Sequence, residues 1–172
     1  MYDICVIGAG PAGISSAVYA ASRGLKTIVL EQKKVGGLLG SVSTVTHYAG
    51  ILADETGESF SLRLKEQAER AGIEIAMEKV VEADLSGAVK RIVTEGTTYE
   101  AKAVIIAAGT TPSKLGIPGE DTFAGRGTGL NPAKEAKKYE GREALVVGGA
   151  EGAVREALFL SKFASTVTSN HF

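Results

Sequence analysis

Six residues, Gly8-Ala9-Gly10-Pro11-Ala12-Gly13, stand between the apolar run Tyr2–Ile7 and the small-residue run Ile14–Ala21, and they constrain the fold more than any other stretch. A short apolar run ended by glycine reads as a buried parallel strand, and the residues after the bend read as a helix. The chain must therefore pass from strand to helix with nothing bulky at the turn. Three glycines at this spacing have separate tasks in a dinucleotide fold. Gly8 permits the tight turn, Gly10 lets the backbone approach a pyrophosphate, and Gly13 lets helix and strand lie close. Pro11 falls at the start of the helix, where a missing N–H costs little, Ala12 keeps the turn small, and Gly24 ends the helix. The pyrophosphate would then sit at the positive helix N-terminus. Lys26–Glu31 is a second buried strand, so residues 2–31 form a βαβ unit. Glu31 closes it 18 residues beyond Gly13, where a carboxylate meets an adenosine ribose. Taken alone, Glu31 is also compatible with a solvated charge at a strand end.

Several classes of function are excluded by composition. The net charge of −1 leaves no electrostatic footprint for nucleic acid or for an acidic membrane surface. No apolar run approaches the ~18 residues of a membrane span, and no signal peptide precedes the first strand. The expected location is cytoplasmic. The single cysteine, Cys5, excludes an internal disulfide, a cysteine zinc cluster and a Cys-x-x-Cys redox pair within one chain. Its place in a strand predicts a buried core thiol. No metal site and no catalytic residue are expected.

Residues 32–51 are glycine-rich and long for a simple connection, and long ordered loops in compact domains are often functional. Gly36 and Gly37 fall in this loop, as does His47, which by itself reads as a surface or packing histidine. Residues 56–72 form an amphipathic helix with Phe60, Leu64 and Ala68 on one side. The runs 73–85, 88–96 and 97–109 suggest a small antiparallel meander whose last strand returns to the parallel sheet. Residues 110–129 have the proline and glycine content of a boundary. A second cycle follows, with a helix to Gly141, a strand over 143–149, a helix over 150–164 and a strand start at 165–169. It echoes residues 2–31. The apolar residues Val154, Leu158, Phe159 and Phe163 of that second helix are expected to stay partly exposed, making residues 128–172 the least stable part of the chain.

These residues carry a resemblance. VIGAGPAGISSAVYAASRGLKTIVLE (6–31), Gly36-Gly37, AAGTTPSKLGIPGE (107–120), Gly125-Arg126-Gly127 and LVVGGAEGAVREALFLSKFASTVT (145–168) resemble, in this order, the low-molecular-weight, bacterial-type thioredoxin reductases. The resemblance runs over essentially the whole chain. It implies an α/β fold: a three-layer FAD-binding Rossmann-type domain, parallel sheet plus β-meander, incomplete and followed by the start of a second, NAD(P)-binding Rossmann domain. The implied boundaries are 1–111 for the FAD domain, 112–127 for a linker and 128–172 for the partial NAD(P)H domain. FAD rather than NAD would lie along Gly8–Gly13 with its adenosine at Glu31. Gly36, Gly37 and the loop bearing His47 would line the flavin, and the backbone near Val80 would approach the adenine. Ala107–Thr110, Ala108 and Gly109 among them, would make the second crossing of the cofactor. Gly148, Ala150 and Ala153 would stand in the pyridine-nucleotide fingerprint.

The chain also departs from the family. The redox Cys-x-x-Cys falls on Asn131-Pro132-Ala133-Lys134, so neither sulfur is present. Ala150 stands where the middle glycine of the second fingerprint usually does, and its methyl would crowd a pyrophosphate, so that NAD(P)H binding is possible but weakened. Leu38 and His47 replace the Gln and Asn that typically face the flavin. The family's chains continue for roughly as long again. The expectation is an FAD-dependent, NAD(P)H-linked oxidoreductase without the dithiol, a truncated chain whose electron partner is another redox protein or a small acceptor. It would be a homodimer or the partner of a missing C-terminal half. The alternatives are a ferredoxin–NADP reductase of thioredoxin-reductase type and a non-catalytic nucleotide-binding remnant.

Overall fold

The computed structural model describes residues 1–46, 48–129 and 131–170, with Lys134 by its backbone alone. The chain divides into two compact units, Met1–Thr111 and Pro112–Phe172. In the first, strand β1 (Tyr2–Ile7) leads through the glycine turn into helix α1 (Pro11–Ser22) and strand β2 (Thr27–Leu30). A short 3-10 helix (Gly37–Ser41), helix α2 (Gly57–Arg70) and strands β3 (Glu74–Ala76), β4 (Val80–Asp84), β5 (Lys90–Thr94) and β6 (Thr98–Ile106) follow. Among the described residues these strands form one mixed sheet in the order β3-β2-β1-β6-β5-β4. The β1–β2, β2–β3 and β1–β6 pairs are parallel, and β4–β5 and β5–β6 are antiparallel.

The period of two along a strand divides the core into two layers. Val6 and Val29 face Ile14 and Ala17 of α1 and Phe60, Leu64 and Ala68 of α2. Cys5, Ile28 and Leu30 face the other way, against Ile92 and Ala101 of the meander, with Val80 and Tyr99 packed around them. Helices, parallel sheet and meander are therefore three layers, joined through β6. The first half of β6 pairs with β5 and the second half with β1. Cys5 has no exposed surface, and burial pushes its thiol up to about 11, which keeps it protonated and inert. Local signals set the helix ends. Gly24 closes α1 with φ 77°, and Thr56 and Ser59 form a reciprocal capping box at the start of α2.

One element differs from the expectation. The run 73–85 is not a single meander strand: Glu74–Ala76 extends the parallel sheet beside β2, and only 80–84 belongs to the meander. The break between them has a cause. The Ala76 carbonyl accepts the N–H of both Glu31 and Glu78, each at 3.0 Å, which turns the chain. The Glu78 carboxylate then accepts from the hydroxyls of Thr94 and Tyr99. Alternation alone does not reveal such a turn.

The second unit opens with turns over 112–129, where the Glu120 carboxylate accepts the N–H groups of Leu115 and Gly116. A short helix α3 (Pro132–Glu135) runs into a 3-10 turn (Ala136–Tyr139). Strand β7 (Glu143–Val147), helix α4 (Glu151–Leu160) and strand β8 (Thr166–Asn170) then repeat the βαβ pattern, with β7 and β8 parallel. Among the described residues its buried core is Ala144, Val146 and Leu160. Leu145, Val154 and Leu158 are 63%, 51% and 64% exposed.

Candidate functional site

The first unit brings the ends of three parallel strands to one edge. The chain leaves β1 for β2 and β3 on one side and returns to its other side as β6, so β1 marks a topological switch point, where open α/β sheets hold ligands. The stitching there is dense. Gly8 N–H donates to the Leu30 carbonyl, Ala107 N–H to the Ile7 carbonyl and Gly36 N–H to the Ala9 carbonyl, each at 2.8 Å. Glu31, 8% exposed, accepts the Ala9 N–H on one oxygen and the Lys33 N–H on the other, both at 2.8 Å. Each oxygen keeps a further lone pair for an incoming hydroxyl.

Geometry separates the three glycines. Gly8 has φ 105°, and a Cβ there would press into the Ala107 carbonyl and lie 3.2 Å from the Ala108 Cα. At Gly13 a Cβ would collide with the Gly8 carbonyl oxygen and meet the Val6 side chain at 3.3 Å, so helix and strand touch only because the side chain is a hydrogen. Gly10 is the opposite case. It has an ordinary extended conformation (φ −72°, ψ 179°), and its Cβ direction is open among the described residues. Among the described residues no side chain caps α1, Pro11 has no N–H, and the N–H groups of Ala12 and Gly13 lack intrahelical acceptors. An uncapped helix start behind an open glycine, beside a buried carboxylate, fits the pyrophosphate and ribose of a dinucleotide.

The remaining residues fall around this edge to different degrees. Gly36 (φ 100°) and Gly37 (φ 55°) enter the 3-10 turn, and a Cβ on Gly37 would lie 3.8 Å from the Gly10 Cα. Ala108 and Gly109 (φ 68°) follow β6 and are exposed beside Gly8. Val80 is half-buried against the β2 side of the meander layer, pairing with Thr94. His47 lies outside the described residues. Gly148 (φ 145°), Ala150 and Ala153 form the corresponding turn of the second unit.

An anchor for the long loop escapes sequence reasoning. Glu55, buried, accepts the N–H of Leu52 at 3.0 Å and the Arg63 guanidinium at 2.5 Å, while Arg63 also donates to the Gly50 carbonyl. The Leu52 N–H, followed by Arg63, holds this carboxyl below its ordinary range. The only hint in the sequence is an arginine two helical turns beyond an acidic residue next to a cap. A cleft of about 360 Å3 at the opposite, N-terminal edge of the sheet is bordered by Tyr2, Leu25, Lys26 and Glu74, and its glycines, Gly24 and Gly72, follow the ends of α1 and α2 rather than opening a helix. There the Tyr2 hydroxyl donates to Glu74 at 2.6 Å. No helix among the described residues is long and apolar enough to cross a membrane.

Strand order, glycine turn and acidic strand end together define a Rossmann-type nucleotide-binding α/β protein. The family model for pyridine nucleotide-disulphide oxidoreductases matches residues 2–171, and the chain belongs to that family. These oxidoreductases are flavoproteins that bind FAD and use NADPH. Thioredoxin reductase of Peptoclostridium acidaminophilum is 42% identical over 171 residues, covering 99% of this chain and 54% of the relative. Among solved structures, Lactococcus lactis thioredoxin reductase superposes with a TM-score of 0.84 at 35% identity, over 99% of this chain and 56% of that one. A ferredoxin-flavin thioredoxin reductase from Clostridium acetobutylicum gives a TM-score of 0.60 at 34% identity, over 99% and 59%. The chain thus spans about half the length of the relatives it matches.

Proposed function

We propose that residues 1–111 bind FAD and that residues 128–172 open the pyridine-nucleotide unit of an NAD(P)H-linked flavin oxidoreductase related to thioredoxin reductase. The observation that carries this reading is the meeting of Gly8–Gly13, Gly36–Gly37 and Ala107–Gly109 around the buried Glu31 carboxylate. When bound, FAD supplies hydride and single-electron chemistry. The chain's own residues bind and orient it. The N–H groups at the start of α1 face the pyrophosphate, Glu31 accepts from the ribose hydroxyls, and the Ala108–Gly109 backbone lies along the cofactor.

Electrons leave by a route other than a dithiol on this chain. Asn131-Pro132-Ala133-Lys134, at the start of α3, holds no sulfur. The one thiol, Cys5, is buried in β1 and held protonated, so no thiolate is available to attack a disulfide. The acceptor is then a redox protein or a small oxidised molecule. A second reading, electron exchange with a ferredoxin-like protein, draws support from the missing cysteines and from the likeness to a protein named for ferredoxin.

Flavin absorbance of the purified, FAD-reconstituted chain tests the proposal. Gly10→Val, which fills the open space behind the helix start, is expected to abolish it. Unchanged flavin content in that variant would overturn the FAD assignment.

A further inference from the structure

The two βαβ units turn from strand to helix through nearly the same backbone, yet they differ in the side chains that stand at the helix start. Gly10 caps α1 at φ −72°, ψ 179°, and Ala150 caps α4 at φ −83°, ψ 166°. The strand ends match as well: Gly8 N–H donates to the Leu30 carbonyl and Gly148 N–H to the Asn170 carbonyl, both at 2.8 Å. Ala153, in place of a third glycine, does not prevent close packing, since a Cβ on Gly148 would lie 3.0 Å from the Ala153 methyl. Turn and packing are therefore preserved.

Two things differ. The direction that is open at Gly10 is filled at Ala150 by a methyl group, on the path by which a backbone approaches a pyrophosphate. Alanine is also among the weakest N-caps and glycine ranks above it, so this methyl adds nothing to helix stability. The second difference is charge. Pro11 opens α1, whereas Glu151 opens α4, with its carboxylate 2.6 Å from Arg155 and 77% exposed. A carboxylate in the first turn uses the positive end of the helix and repels a phosphate.

We propose that Ala150 and Glu151 set the affinity of the second unit for a pyridine dinucleotide and hold it low within an otherwise intact fingerprint. The residues at this turn do not fit a pyrophosphate as Gly8–Gly13 do. This inference rests on reading the second unit as the family's pyridine-nucleotide part.

Calorimetric titration of the full chain with NADPH and with NADH tests it, comparing wild type, Ala150→Gly, Glu151→Gln and the double variant. Ala150→Gly is expected to bind about tenfold tighter or more, the equivalent of one regained backbone hydrogen bond to a charged group. Glu151→Gln is expected to gain a few-fold, less at high salt. Wild-type binding as tight as that of Ala150→Gly would overturn the inference, as would absence of binding in the double variant. Flavin content, read by absorbance on the same samples, should not move among the four. A chain that takes up no flavin counts against the proposed function instead, so the two failures are distinguishable.

Discussion

Gly10 and Gly13 lie three residues apart in one turn, and the same methyl added to each is expected to have opposite consequences. At Gly13 the helix already suits alanine, and propensity alone would stabilise Gly13→Ala by about 0.5–1 kcal/mol. Against this stands a collision with the Gly8 carbonyl oxygen and a 3.3 Å approach to Val6, whose side chain has no exposed surface. Overpacking costs about 1–3 kcal/mol, and the upper end applies when main chain rather than a flexible side chain must move. The net loss is about 2 kcal/mol. At a urea slope of about 2 kcal/mol per M, the midpoint falls by about 1 M. At Gly10 the backbone suits any residue, and among the described residues no neighbouring heavy atom lies within 4 Å of where a Cβ would stand. Restriction of the unfolded chain gains about 0.4–1 kcal/mol and the poorer N-cap returns about as much, so Gly10→Ala should leave stability within about 0.5 kcal/mol of wild type. Its effect falls on the cofactor. Loss of one backbone hydrogen bond to a phosphate, about 1.5–3 kcal/mol, weakens FAD by about 10- to 150-fold. Urea melts of the cofactor-free protein by circular dichroism, paired with FAD titrations by fluorescence, separate the two effects. Equal destabilisation by both substitutions, or undiminished FAD affinity in Gly10→Ala, would refute this division of labour.

Three further outcomes are expected. Cys5 should resist iodoacetamide at pH 8 in the folded protein and react once it is unfolded, and Cys5→Ser should leave any NAD(P)H-dependent turnover intact; disulfide reduction that persists in Cys5→Ser would break the proposed electron route. The hydrogen bond to Glu74, with burial behind it, pushes the Tyr2 phenol up to about 12 from an ordinary value near 10. Its contribution to stability is therefore full below pH 10 and lost as pH rises towards 12, and spectrophotometric titration of Glu74→Gln should show Tyr2 ionising at lower pH. In hydrogen exchange, β7 and β8 should lose protection well before β1, β2 and β6, because the core behind them is small and Leu145, Val154 and Leu158 are exposed; uniform protection in a monomer would contradict this.

The first βαβ unit was legible because every cue in it is local: glycine spacing, an early proline, two apolar runs and an acidic strand end. The face of α2 was legible for a similar reason, since Phe60, Leu64 and Ala68 recur at helical spacing and all three are buried. Residues 73–85 misled because Ile73, Ile75, Met77, Val81, Ala83 and Leu85 keep a period of two through the break, while the turn depends on Ala76 accepting from Glu31, far away in sequence. The Glu55–Arg63 anchor was hidden for the same reason: its partners meet only once the loop has folded onto α2. At the second turn, Ala150 could be read directly as a missing glycine. That its backbone nonetheless reproduces the geometry of Gly10 shows only in the folded turn.

Strand β6 imposes an order of events on synthesis. The inner strand of the parallel sheet, β1, finds β2 almost at once, but its other edge pairs with residues as distant as Ala101, opposite Tyr2. At about 5–20 residues per second, a ribosome needs about 4–14 s to make the roughly 70 residues from Glu31 to Ala101. Throughout that interval an apolar strand from the middle of the future sheet presents unpaired N–H and C=O groups to its surroundings. The meander strands that will cover Cys5 are made only towards the end of that interval, and the Ala107–Gly109 segment beside Gly8 follows after it. The nascent chain thus holds the glycine fingerprint long before it holds a nucleotide pocket, and during this delay it is exposed to pairing with other nascent chains.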